Sequence, residues 1–312
     1  MTYAIYSIDS SALEPSGCSA YTYDIYASTA YLRGPWHTFS EQMDENDGDA
    51  YPFYTGLGGL LQIDLMGYLG LRFGPSLDLQ VYPNLPPQIP YIAYPTFYFQ
   101  GWPIVAEANQ THTTLKRSGD PLPTANSMFS SESINVRLAR SASTTIQTYQ
   151  LPQDGVLVIF NVNSVETSSS GNSIIQCRPV VSSESSTSPG QFPQAANDGS
   201  TGTVWLPTAG SGVSNITVDL TSEAFYAVDY IFVQWQEAPA TSASVIFHNS
   251  SDSSTPDSRQ ILLDNSSANS TNVSVSGMGV WTGRYATLFV TGDSNNTSSI
   301  IVVAEWEVVV PS

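Results

Sequence analysis

Charge is scarce in this chain of 312 residues. Only 12% are Asp, Glu, Lys or Arg, where about a quarter is ordinary for a globular protein. Basic charge is scarcest. Nine Lys and Arg stand against 27 Asp and Glu, a formal net charge of -18. So few cations cannot form a phosphate-binding track, which argues against nucleic acid as a partner. An anionic membrane surface would repel such a chain. Cysteine is nearly absent too. Cys18 and Cys177 are too few for a disulfide scaffold, and a bridge between them or two free or buried thiols are equally open readings. The three His are scattered, so no Cys/His cluster has metal-ligand spacing, and no cofactor is implied. No run is long and apolar enough to span a membrane. The opening stretch, MTYAIYSIDSSALEPSGC, carries neither a basic patch nor an apolar segment of the signal-peptide kind.

What fills the surface instead is Ser, Thr, Asn, Gly and Tyr, a neutral polar dress typical of secreted proteins. A secreted composition without a leader is reconciled if the true N-terminus lies elsewhere and Met1 is internal. The sequence pI of about 4.1 suits work in acid, where protonation relieves self-repulsion. Asn-x-Ser/Thr sequons stand at Asn109, Asn215, Asn249, Asn265, Asn269, Asn272, Asn295 and Asn296. Given secretion, glycosylation of several is expected.

Along the chain, residues 1–75 read as helical. Tyr21, Tyr23, Tyr26 and Tyr31 between Ala20 and Leu32 suit a packed helix better than an alternating strand. A loop from Arg33 to Asp49 follows. A second helix is expected over Gly58–Tyr68, apolar all round and therefore buried. From Leu71 the texture changes to clustered prolines and short β-rich runs: Tyr91–Phe99, Ile134–Leu138, Thr144–Tyr149 and Val156–Val162. These predict a sandwich. After polar stretches at 164–172 and 182–190, strands resume at Asn215–Asp219, Asp229–Gln236, Ala243–His248, Arg284–Val290 and Ile300–Val309. Residues 249–275 read as a Ser/Asn-rich loop.

The stretch most suggestive of chemistry is 35–59, PWHTFSEQMDENDGDAYPFYTGLGG. It is a carboxylate-rich loop among Trp36, Phe39, Tyr51, Phe53 and Tyr54. Apolar sugar faces stack on rings while carboxylates take hydroxyls. Glu41 sits beside the aromatics, an environment able to tune its basicity. On composition alone the plainer reading, a solvated acidic loop, is favoured. Asp44, Glu45, Asp47 and Asp49 lack the final Glu of a calcium loop.

Ser40-Glu41-Gln42 after an aromatic, followed by PFYTGLGGLLQ and GYLGLRFGPSL, resembles the acid trehalases of glycoside hydrolase family 65. The resemblance covers residues 1 to about 160. It implies an inverting hydrolase with an (α/α)6 barrel, of which residues 1–72 would be the C-terminal end. Residues 73–165 would be the β-sandwich domain that follows the barrel. Glu41 would be the general base, with Trp36 and Gln42 binding the disaccharide. Gly56, Gly58 and Gly59 would permit close backbone approach at the site or, equally, tight helix packing. The general acid lies upstream in that family, and Glu14 is the only Glu before Glu41. The chain alone is therefore expected to be inactive, its missing N-terminal catalytic half supplying the acid.

Residues 176–312 resemble a discoidin-like (F5/8 type C) β-jelly roll, most specifically at Asn197-Asp198-Gly199 through Trp205. Trp205 and Trp235 should be core, and Asp198-Gly199 a turn. The expected architecture is thus multidomain α+β: barrel helices, a sandwich, then a jelly roll. The expected function is the C-terminal portion of an enzyme splitting α,α-trehalose into glucose. The competing reading is a non-catalytic secreted module binding cell-wall glycan. The implied location is extracellular, cell-wall or vacuolar.

Overall fold

The computed structural model describes residues 2–14, 16–43, 50–138, 146–162, 172–183, 191–207, 213–236, 239–249, 259–263, 269–292 and 301–311. The chain divides into two compact units, Met1–Ser164 and Val165–Ser312. Most of the described secondary structure is β-sheet, with helices confined largely to the first unit.

The first unit opens with α1 (Thr2–Leu13) and α2 (Cys18–Ser28). Gly17 turns the chain between them at φ +73°, and a Cβ there would stand 3.0 Å from Asn84 Oδ1. Buried Asn84 donates to the Ser11 carbonyl at 2.7 Å and the Glu14 carbonyl at 3.2 Å, stitching the turn down. The Tyr-rich helix ends at Ser28, short of the expected Leu32. There the Ser28 and Thr29 hydroxyls donate to the Asp24 and Ile25 carbonyls at 2.8 and 2.9 Å, local bonds that compete with helix continuation.

The second expected helix starts earlier than predicted, as α3 (Tyr54–Gln62), and passes into a π-helix at Ile63–Tyr68. It is not buried all round. Ile63 and Tyr68 are each 1% exposed, but Leu61 is 65% exposed. The loop read over 33–49 contains a hairpin, β1 (Leu32–Arg33) with β2 (Thr38–Phe39).

Two sheets complete this unit. One joins β3 (Leu79–Val81), β8 (Ile134–Leu138) and β9 (Gln147–Leu151). The other runs β10 (Leu157–Phe160), β7 (His112–Arg117), β6 (Trp102–Asn109) and β4 (Tyr91–Ala93), with β5 (Phe97–Phe99) also on β6. The single run expected over 91–99 is two strands, because Pro95 between them offers no N–H to a ladder. One core gathers Ile8, Ala20, Ile63 and Leu69 from the helical part with Val81, Ile104, Leu115 and Val136 from the sheets. Buried Arg117 pins the sheets. Its guanidinium donates to the carbonyls of Phe129, Glu132 and Leu151 at 2.5, 2.6 and 3.4 Å and lies over the Trp102 ring.

The second unit is a two-sheet sandwich. The four-stranded sheet is β11 (Asn172–Ser173), β19 (Val303–Val310), β14 (Tyr230–Trp235) and β17 (Ser270–Ser274). The five-stranded sheet is β12 (Val180–Ser183), β13 (Val213–Tyr226), β18 (Trp281–Thr291), β15 (Ser242–His248) and β16 (Arg259–Leu263). The stretch 249–275 is therefore not one loop: β16 and β17 lie within it. Alternation places Ile231, Val233 and Trp235 inward from one sheet and Val245, Leu288 and Ile261 inward from the other. Trp205, Trp235 and Trp306 are 0, 1 and 0% exposed. Gly199 makes its turn at φ +83°, and neighbouring Asp198 accepts the Thr203 hydroxyl at 2.8 Å.

Candidate functional site

Glu41 is held at the neck of a loop. The Phe53 amide donates to the Phe39 carbonyl at 2.7 Å, and the Glu41 amide donates to the Ala50 carbonyl at 3.2 Å. The Ala50 amide in turn donates to Glu41 Oε2 at 3.3 Å. This ties the segment 39–41 to 50–53. The neck is fastened to the helices by an aromatic stack: Phe39 lies on Tyr31 at 5.8 Å and 13°, and Tyr31 adjoins Tyr3, itself 4.9 Å from Tyr26. Ser40 is buried, and its amide donates to the Tyr31 carbonyl at 2.9 Å. Gly56 lies beneath this neck. A Cβ there would meet the Phe39 ring at 2.6 Å and the Phe53 ring at 2.7 Å, whereas at Gly58 it would meet open space. Of the two readings for these glycines, Gly56 supports packing.

The carboxylate itself faces solvent. Glu41 and Gln42 are exposed, and the Gln42 carbonyl accepts from the Arg33 guanidinium. Trp36 is 83% exposed, Tyr51 53% and Tyr54 74%. The structure thus sets Glu41 on an open rim bearing exposed rings. Further apolar side chains of the same region, Leu13, Leu61 and Phe73, are 63, 65 and 68% exposed. Asp44, Glu45, Asp47 and Asp49 lie outside the described residues.

Two carboxylates overlooked in the sequence are partly buried in the same unit. The Tyr68 hydroxyl donates to Asp24 Oδ2 at 2.6 Å. Burial pushes the Asp24 carboxyl up, the Tyr68 hydrogen bond partly offsets this, and the charge of Asp64 adds to it. Burial pushes Asp64 up as well, and Glu14, where the Ser19 hydroxyl partly offsets it. Tyr68 and Tyr94 are pushed up by burial first and by the nearby carboxylates second. A lone Asp amid the tyrosines of α2 was the available signal for Asp24.

The remaining sequence expectations separate by exposure. Asn249, Asn269 and Asn272 are exposed and Asn109 is half-buried. Asn215 is 2% exposed with its Nδ2 enclosed, so the fold leaves no room for a glycan there. That overturns one of the expected attachment points. Alternation sends Asn215 away from the core that Ile216 and Val218 enter, so its enclosure comes from what lies on the outer side of the sheet and not from the sequon. Asn265, Asn295 and Asn296 lie outside the described residues. Neither cysteine is a free thiol. Among the described residues no group of three or more His, Cys, Asp or Glu could hold a metal ion, and no helix is long and apolar enough to cross a membrane.

In class, then, the chain pairs a helix-and-sheet unit bearing a carboxylate rim with a β-sandwich. It is 44% identical over 258 residues to the cell wall acid trehalase of Arthroderma benhamiae, covering 80% of this chain and 24% of that relative. It is also 44% identical over 265 residues to the acid trehalase of Emericella nidulans, with the same coverage of each. A periplasmic/secreted acid trehalase of Candida glabrata is 24% identical over 273 residues, covering 78% of this chain and 22% of that relative. The chain is thus homologous to fungal acid trehalases and spans about a quarter of the length of the curated relatives it matches. No protein-family model matches it. Among solved structures it is similar to chitosan-binding module 1 of a Paenibacillus chitosanase/glucanase, at 21% identity and TM-score 0.36, over 44% of this chain and 98% of that one. Module 2 of the same enzyme, in complex with chitotriose, matches at 18% identity and TM-score 0.35, over 43% and 98%.

Proposed function

We propose that this chain is the C-terminal portion of an inverting family 65 glycoside hydrolase that splits α,α-trehalose into two glucose molecules. The observation that carries the reading is the 44% identity to two fungal acid trehalases over four-fifths of the chain. Residues 1–72 close an (α/α)6 barrel whose other helices precede this chain, and residues 73–165 form the sandwich behind it. Residues 176–312 form a discoidin-like jelly roll. The exposed Leu13, Leu61 and Phe73 support this reading, because a helical end in contact with more barrel would cover them. The enzyme works outside the cell, at the cell wall. Its exposed sequons, Asn249, Asn269 and Asn272, carry glycans.

In an inverting mechanism a carboxylate activates water on one face of the sugar while a carboxylic acid protonates the glycosidic oxygen on the other. Glu41 is the base. Its Oε2 accepts the Ala50 amide, which orients the carboxylate, and its exposure leaves it open to a water. Trp36 and Gln42 contact the disaccharide. The acid comes from the chain that precedes Met1, so the 312 residues alone do not turn over trehalose.

The test is Glu41→Gln in the protein that carries this chain with its upstream barrel. Loss of a general base should lower kcat by roughly 10²–10⁴-fold with little change in KM. Unchanged turnover would remove Glu41 from the mechanism.

A further inference from the structure

The outer face of the five-stranded sheet in the second unit carries a groove that the trehalase reading does not use. Its volume is about 300 Å³, and Ser242, Ser244, Ile246, Gln260, Leu262 and Phe289 line it together with Thr291. The cross-strand register builds it. Phe289 pairs with Ser244, and Ser244 with Leu262, across β18, β15 and β16. The residues beside them, Leu288, Val245 and Ile261, fill the core. Alternation therefore sends Phe289, Ser244 and Leu262 to the opposite side.

We propose that this groove binds a short stretch of neutral glycan. The chemistry of the lining selects the ligand. It presents hydroxyls, one amide, an aromatic ring and two aliphatic chains, and no charged side chain. Among the described residues that line it, none offers a counter-charge to an anionic or cationic ligand. A pyranose has an apolar face for Phe289 and Leu262 and hydroxyls for Ser242, Ser244 and Gln260. Leu262 is 74% exposed between two core residues of its strand, an apolar surface on which a sugar face could stack. The polar groups are also pre-set. Gln260 Nε2 donates to Ser244 Oγ at 2.9 Å, which leaves the serine proton to donate to a ligand. The volume stands at the small end of ligand sites, roughly 300–1,000 Å³, which matches one or two sugars of a longer chain.

Two of the sequons can be placed relative to this groove. Asn215 pairs with Phe289 from β13 and so shares its face, but it is buried. Exposed Asn272 lies on β17 of the other sheet, where inward Thr271 and Val273 send it outward from that sheet. A glycan there stands on the opposite side of the sandwich.

The inference does not rest on the hydrolase reading. The experiment uses the whole 312-residue chain in affinity electrophoresis through gels holding laminarin, yeast mannan or glycogen. At least one should retard the chain. Phe289→Ala and Leu262→Asp should each weaken that retardation about tenfold or more. Leu262 is so exposed that its replacement leaves folding intact, so it decides the matter if Phe289→Ala does not fold. Absence of retardation by all three glycans, or retardation untouched by Leu262→Asp, overturns the proposal. The second result would locate glycan binding elsewhere on the chain.

Discussion

The two units solve the same problem to different degrees. The second hides its aromatic bulk, although Leu262 in the groove is 74% exposed. Three tryptophans are at most 1% exposed, and one core of Val, Ile, Leu and Trp closes between two sheets. The first shares a good core between helices and sheets, yet leaves Leu13, Trp36, Tyr54, Leu61 and Phe73 more than half exposed on its helical part. Single surface leucines need no explanation, and it is the number of large exposed side chains in this helical region that sets it apart. The difference is that the second unit closes a core around its tryptophans, while the helical part of the first leaves more of its large apolar side chains in solvent.

Substitutions can break or sharpen that contrast. The largest effect is expected from Trp306→Ala, which empties a fully buried site between two sheets. It should cost about 3–5 kcal/mol, seen as an early loss of the second unit in denaturant unfolding. Arg117→Met comes next. It strands three carbonyls that the guanidinium now serves, at a cost of about 3 kcal/mol in the first unit. A third probe is pH. Burial raises Glu14, Asp24, Asp64 and Glu307 above their unfolded values. The stability they contribute is complete below the unfolded carboxylate range and is lost as pH rises through their folded pKa values. Asp219, lowered by Arg284 chiefly through their hydrogen bond, works the other way, against these four among the described residues. Thermal unfolding should therefore occur at higher temperature in mild acid than at neutral pH, and Asp24→Asn should flatten that slope. A flat profile in the unsubstituted chain would count against these burial effects. The smallest effect is expected from Leu61→Ser, within about 0.5 kcal/mol in the isolated chain. In a protein with the preceding barrel present, the same change should destabilise clearly more, and equal small effects in both would mean that the face is never covered.

Legibility in the sequence followed periodicity and failed where chain partners decide. Ile231, Val233 and Trp235 announce their strand by alternation, and so do Ala243, Val245 and Phe247. The strand Arg259–Leu263 was hidden in Ser- and Asn-rich surroundings, because only its pairing with β15 makes it a strand. Trp102–Asn109 was hidden by Pro103, which a strand tolerates near its start. Of the candidate site, Glu41 and its aromatic neighbours were legible as types. Asp24 and Asp64 were not, since their character comes from burial beside Tyr68.

By itself the sequence determined the acidic, cation-poor surface, the helix-then-strand order and the tryptophan cores, because composition and alternation are local properties of the chain. Only the tertiary structure decided that Glu41 stands on an open rim, that Asn215 is enclosed despite its sequon, and that Phe289, Ser244 and Leu262 meet in one groove. Exposure and convergence are properties of neighbours far apart in the chain, and no local pattern encodes which neighbours those will be.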